Sequence, residues 1–294
     1  MSASAELAPP FTPGQTLLLL PTLKHALMQR PGLADRLARA ALYSMHAEAL
    51  PQRLGCALSL AAVKLAGADA SWSRDKLAAR RFACADLAQL RVELNGVRAI
   101  AIGNIPLTDT MDRLATELLQ KCLEDTCIEL HRICAGQYVL ELPNDLASPV
   151  ALAPSQLIGS ALSGQLPEPV RWRQLLNESQ MMLAQNGALP CNSLWFYGAE
   201  VSSRTPQTPI SVHLASATQD PLLLGLQALN SPTTQTALHI FDWRVPSDKI
   251  REIPNQPIWI SCDSGELFFA GRFDALKFWR KKRSFISKRE HAPE

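Results

Sequence analysis

The chain has 294 residues, 47% of them apolar and 19% charged, with a net charge of +2. That balance excludes whole-chain disorder and predicts a sizeable core, in one large domain or two modest ones. The early apolar run Leu17–Leu20 is too short to cross a bilayer, and residues 1–15 hold no Lys or Arg, so neither a membrane span nor a secretory signal is expected.

Residues 1–14 are a loose, Pro-containing lead-in. Gln15 to Pro21 is short, almost wholly apolar and closed by proline, which predicts a buried strand. Leu33 to Leu50 is rich in Ala and Leu with interspersed charges, a helix ended by Pro51, and a second helix is expected over Leu54 to Leu65. Leu90, Val92 and Leu94 alternate with charged residues, and Asn95-Gly96 separates them from Val97 to Ile102. Asn-Gly tolerates positive φ at both positions, so a hairpin is predicted. From Met111 the apolar residues Leu114, Ala115, Leu118, Leu119, Cys122 and Leu123 form one helical face, capped by Thr108 or Asp109. Ile128 to Leu142 gives two strands about Gly136. The first half is therefore an α+β region of hairpins and helices.

Residues 143–169 are polar and broken by five prolines, which makes them the candidate sub-boundary of a single α/β domain over 15–276. A helix from Val170 to Gln185 follows, burying Trp172, Leu175, Leu176, Ser179 and Met182 or Leu183. Strands are then predicted at Ser193–Tyr197, Ile210–Leu214, Thr236–Trp243 and Ile258–Cys262, with a helix at Pro221–Leu229 and a last apolar run about Phe268. Strands alternating with helices predict an α/β fold with a mixed or parallel sheet flanked by helices.

Seven scattered cysteines form no Cys-x-x-Cys pair, so they read as buried free thiols of a reducing, cytoplasmic compartment. The six histidines show no metal-binding spacing, and His131, His213 and His239 fall within strands as structural side chains. Gly-x-Ser-x-Gly, the phosphate-binding loop and the dinucleotide fingerprint are missing from the sequence. No catalytic residue, metal ligand or cofactor is therefore assigned.

Two features stand out. Asn177, Glu178 and Gln180 place polar groups on one helical turn, with Asn192 just before the strand that carries Trp195. This set is either a polar network fixing helix to strand or a pocket at the strand's carboxyl end. The tail, 277–294, carries Lys277, Arg280, Lys281, Lys282, Arg283, Lys288 and Arg289 with Phe278, Trp279 and Phe285 among them. Such a cluster is either a solvated tail or a contact for nucleic acid, an anionic membrane surface or an acidic partner.

Asn177-Glu178-Ser179-Gln180-Met181-Met182-Leu183 followed by Pro190-Cys191-Asn192-Ser193-Leu194-Trp195-Phe196-Tyr197-Gly198 resembles the core of the proteobacterial RpfE-type regulatory proteins, a family also labelled phosphoglycerate-mutase-related. Likeness extends to Leu17–Pro21, to Ala68–Arg74, to Asp220–Leu223 with Gly225-Leu226, and to Phe278-Trp279-Arg280. The chain departs from the family's Trp-Gly-Gly-Gly at Tyr197, Ala199 and Glu200. The resemblance implies an alkaline-phosphatase-like fold related to cofactor-independent phosphoglycerate mutases. Those enzymes need an Asp after the first strand and a later Asp-His pair. Here the corresponding positions read Pro21-Thr22 and Cys262-Asp263-Ser264. The resemblance thus implies a retained fold with lost two-metal chemistry. The expected function is a non-catalytic regulatory or scaffolding protein with a protein partner, for which the family's gene neighbourhood suggests the single-strand exonuclease RecJ, a DNA-repair nuclease. The alternatives are a mutase- or phosphatase-like metalloenzyme and a nucleic-acid-associated protein binding through its tail.

Overall fold

The computed structural model describes residues 11, 15–20, 41–44, 50–54, 56–94, 96–162, 165–198, 212–214, 218–229, 238–242, 258–262 and 266–270. The fold is mixed α/β, with an antiparallel sheet and several helices. It divides into two compact units: residues 1–47, 210–218 and 232–294 form the first, and residues 48–209 and 219–231 the second. The chain path interleaves the two units, and residues 143–169 fall within the second.

In the first unit, β1 (Thr16–Leu20) sits centrally, pairing parallel with β10 (Ile258–Cys262) on one side and β9 (Leu238–Asp242) on the other. β9 continues parallel to β8 (Val212–Leu214), while β11 (Glu266–Ala270) runs antiparallel between β10 and β2 (Ala41–Ser44). Leu17, Leu19, Val212, Leu238 and Ile240 are buried. The helix expected over Leu33 to Leu50 is corrected here, because Ala41–Ser44 is a strand paired with β11. A sheet edge supplies backbone hydrogen bonds that override the weak helical preference of a short Ala-Leu stretch.

The second unit is built on β3 (Arg81–Glu93), which is far longer than the alternation at Leu90–Leu94 foretells. Its first half pairs antiparallel with β6 (Gln137–Leu142) and its second half with β4 (Gly96–Ile102). Leu87 donates its N–H to Gly136 and accepts from Gly103 N–H, so β6 and β4 meet end to end along one edge of β3. β7 (Ser193–Tyr197) pairs along the opposite edge, and β5 (Glu129–Cys134) pairs with β6.

Helices cover both faces of this sheet. α1 (Leu50–Arg53) is a single turn, and α2 (Leu60–Ala68) packs on β3, β5 and β6 after a Ser59 cap that accepts from Ala62 N–H. The second helix thus begins later than Leu54. α3 (Arg74–Ala78) follows, capped by Ser73. α4 (Asp109–Leu123), capped by Thr108, packs on β5, and its Thr116 hydroxyl lies 3.2 Å from the Tyr138 hydroxyl. After the short α5 (Pro154–Leu157), α6 (Val170–Ala184) packs on β7, with Trp172 against Phe196. Coverage from both sides explains why Phe82–Ala88 is buried without alternation.

α7 (Pro221–Leu229) returns to the second unit and crosses α2 at Gly67 and Gly225. A Cβ on Gly67 would strike the Pro221 carbonyl, and one on Gly225 the Val63 carbonyl. The two backbones touch, which only glycine permits.

Candidate functional site

The polar groups of the second unit concentrate where β6 and β4 abut. Lys64 lies in an otherwise apolar stretch of α2 and is 9% exposed; Asp86 interrupts the buried run of β3 and is 3% exposed. Lys64 Nζ donates to the Tyr197 hydroxyl at 2.9 Å, and that hydroxyl donates to Asp86 Oδ2 at 2.7 Å. Lys64 and Asp86 stand 4.0 Å apart as an ion pair, and Lys64 also donates to Gln137 Oε1 at 3.4 Å. Gln137 in turn donates to the Gly103 carbonyl at 3.4 Å. Gly103, at φ +74°, lies so close over Asp86 that a Cβ there would come within 2.9 Å of Oδ2. A buried charge pair is tolerated when its polar atoms are engaged, and here Lys64 Nζ and Asp86 Oδ2 are both held through the Tyr197 hydroxyl.

A second knot lies on the other face. Asp112, 3% exposed, accepts from Arg132 Nε at 2.6 Å and from Gly136 N–H at 3.0 Å, clamping the β5–β6 turn to α4. Burial pushes the neighbouring Tyr138 hydroxyl up to about 12, and burial likewise pushes the Cys191 thiol up to about 11. Both groups are neutral in the fold and ionise more readily once unfolded. Stability is therefore full below the unfolded value, near 9.0 for the thiol, and is lost as pH rises through 11 to 12. Each shift corresponds to about 2 to 3 kcal/mol. Denaturant midpoints measured from pH 8 to 11.5 should fall steeply above pH 9, and Cys191→Ala should flatten the first part of that fall.

Asn177 and Glu178 are exposed on α6, and Gln180 is half-buried. Asn192 is elsewhere: its side chain accepts from Leu90 N–H at 2.8 Å and donates to the Leu90 carbonyl at 2.7 Å. That amide continues the β7 edge past the irregularity at Gln89/Leu90. Trp195 is fully buried, its indole N–H donating to the Leu152 carbonyl at 3.0 Å. Helix and strand are joined instead through Ser179, whose Oγ accepts from Leu194 N–H at 3.3 Å. The seven basic tail residues and Asp263 lie outside the described residues.

Sequence reasoning passed over Lys64 and Asp86. The available signal was a lone charge inside each of two apolar runs, Leu60–Ala68 and Phe82–Ala88.

A cavity of about 370 Å³ is lined by Arg74, Arg80, Arg81, Ser59, Leu77 and Phe82, among others. Its guanidinium groups are held by the protein itself. Arg74 donates to the Leu229 carbonyl, Arg80 to the Glu141 carboxylate, and Arg81 to Asn144, Leu146 and Ser148. Such anchored cations brace loops against the sheet.

A third feature is apolar. Val150, Leu152, Ile158, Leu166 and Val170 are exposed, at 64%, 39%, 50%, 45% and 56% respectively. Their segment is tied down by backbone bonds between Val150 and Glu168 and by Gly159, Ser160 and Leu162 bonding to β4. The Trp172 indole N–H holds it from beneath at the Ala147 carbonyl, as Trp195 does at Leu152. Among the described residues no helix is long and apolar enough to cross a membrane. No family model, no curated protein and no solved structure matches this chain.

Proposed function

We propose that this chain is a non-catalytic regulatory or scaffolding protein of the RpfE type, on an alkaline-phosphatase-like fold, that acts by binding a protein partner. The observation that carries the reading is the apolar series Val150, Leu152, Ile158, Leu166 and Val170, exposed on a segment fixed at both of its β-bridges. Large apolar side chains held outward on ordered backbone lose little conformational entropy on association, so they favour a binding surface. Charged side chains near the sheet, by contrast, are engaged in bonds that hold the fold, as with Arg80 to Glu141 and Arg132 to Asp112. A RecJ-type exonuclease is the partner suggested by the resemblance.

The test is affinity capture from native extract with the whole chain, run beside the variant Val150→Asp/Ile158→Asp. A stoichiometric partner is expected on the parent chain and at least ten-fold less on the variant, whose melting temperature should be unchanged because both side chains are exposed. Turnover of 2- or 3-phosphoglycerate with Mn²⁺ or Mg²⁺, lost on Asp263→Asn, would instead support the mutase-like alternative.

A further inference from the structure

The β5–β6 hairpin brings together three side chains whose chemistry suits a metal ion. The register sets Glu129 directly opposite Glu141, and strand alternation returns His131 to the same face as Glu129. The three potential ligand atoms lie within 4.8 Å of one another. His131 Nε2 stands 3.4 Å from Glu141 Oε2 and 4.0 Å from Glu129 Oε2. A tetrahedral ion with bonds near 2.1 Å separates its ligands by about 3.4 Å, so small side-chain adjustments would close the shell.

Two further observations point to a cation. His131 Nε2 is buried and carries no hydrogen bond, although two carboxylates face it. A buried ring nitrogen without a hydrogen bond is costly, and a metal ion would satisfy it together with both acids. The supporting shell is also built. Arg80 donates to both Glu141 oxygens at 2.8 and 3.0 Å, fixing the carboxylate while leaving lone pairs for an ion. Trp72 stacks edge-on to His131 at 5.4 Å and lies under the Arg80 guanidinium at 5.4 Å, which sets the imidazole plane. A cavity of about 580 Å³ lined by Glu129, His131, Glu124 and Cys127 opens beside the cluster, leaving room for water or a further ligand at a fourth position.

We propose that Glu129, His131 and Glu141 form a binding site for a divalent first-row transition ion of the Zn²⁺ class. One imidazole and two carboxylates suit a borderline ion; soft Cu⁺ would want thiolates, and Mg²⁺ or Ca²⁺ an all-oxygen shell. The inference is independent of the partner reading. Searching for pairs of histidines misses such a site, because its nitrogen is single and its acids lie across a turn.

The test uses the full chain under reducing conditions, titrated with Zn²⁺ by calorimetry and with Co²⁺ by visible absorption. One saturable ion per chain is expected, with Co²⁺ ligand-field bands and no thiolate charge transfer. Glu129→Gln should weaken binding at least ten-fold, and His131→Gln should abolish it. Glu129 is exposed, so its variant folds normally and decides the matter even where His131→Gln does not fold. Absence of saturable binding, a thiolate signature, or affinity unchanged in either variant would overturn the proposal.

Discussion

Gly225→Ala should destabilise the protein by about 3 kcal/mol, at the upper end of what an over-packed interface usually costs. The added methyl group would press on the Val63 carbonyl, a backbone atom that moves only if α2 moves. Alanine gains about 1 kcal/mol over glycine in helix propensity, so the contact must outweigh that gain. Gly67→Ala presses on the Pro221 carbonyl from the opposite helix and should cost a similar amount. The double variant should cost clearly less than the two single effects combined, because one displacement of α7 from α2 relieves both clashes. Gly187→Ala, with open space about its Cβ position, is the control and should be nearly neutral. Urea unfolding of the four variants tests the set, and a neutral Gly225→Ala would refute the backbone contact.

Lys64→Met is the other large expected effect. It removes the cation from Asp86 and a donor from Tyr197 and Gln137, leaving a carboxylate buried at 3% exposure. Breaking a buried pair from one side typically costs about 3 to 5 kcal/mol. Lys64→Met combined with Asp86→Leu removes both charges and should recover at least half of that loss, because an apolar pair has no desolvation penalty. The double-mutant cycle, read from denaturant midpoints, therefore distinguishes a pair retained for stability from one retained for geometry. If the double variant is as unstable as Lys64→Met alone, the charge-pair account fails.

The elements visible in the sequence are those whose signal is local. The β3–β4 hairpin, the Thr108-capped helix, Val170–Ala184, Pro221–Leu229 and Ile258–Cys262 all emerge where alternation, caps and proline place them. β3 was half hidden. Phe82–Ala88 is covered on both faces, so it lacks the period of two that marked Leu90–Leu94. Ala41–Ser44 carries no local strand signal, because its strand character comes from β11, a neighbour distant in sequence. The polar residues divide similarly. Asn192 stood out as an amide before a strand, but only the register of β7 on β3 reveals that it grips Leu90. Glu129, His131 and Glu141 become neighbours only once the hairpin about Gly136 is closed.

The placement of β1 has a consequence for synthesis. Its two partners, β9 and β10, are made long after it, since Thr16 pairs with His239 on one side and Ile258 on the other. Until those partners emerge this oily strand lacks both of the edges it joins, and closing so long a loop makes its docking a slow, late event. During synthesis β1 is therefore a stretch in need of a chaperone, and chains that stall before β9 is made should aggregate through it.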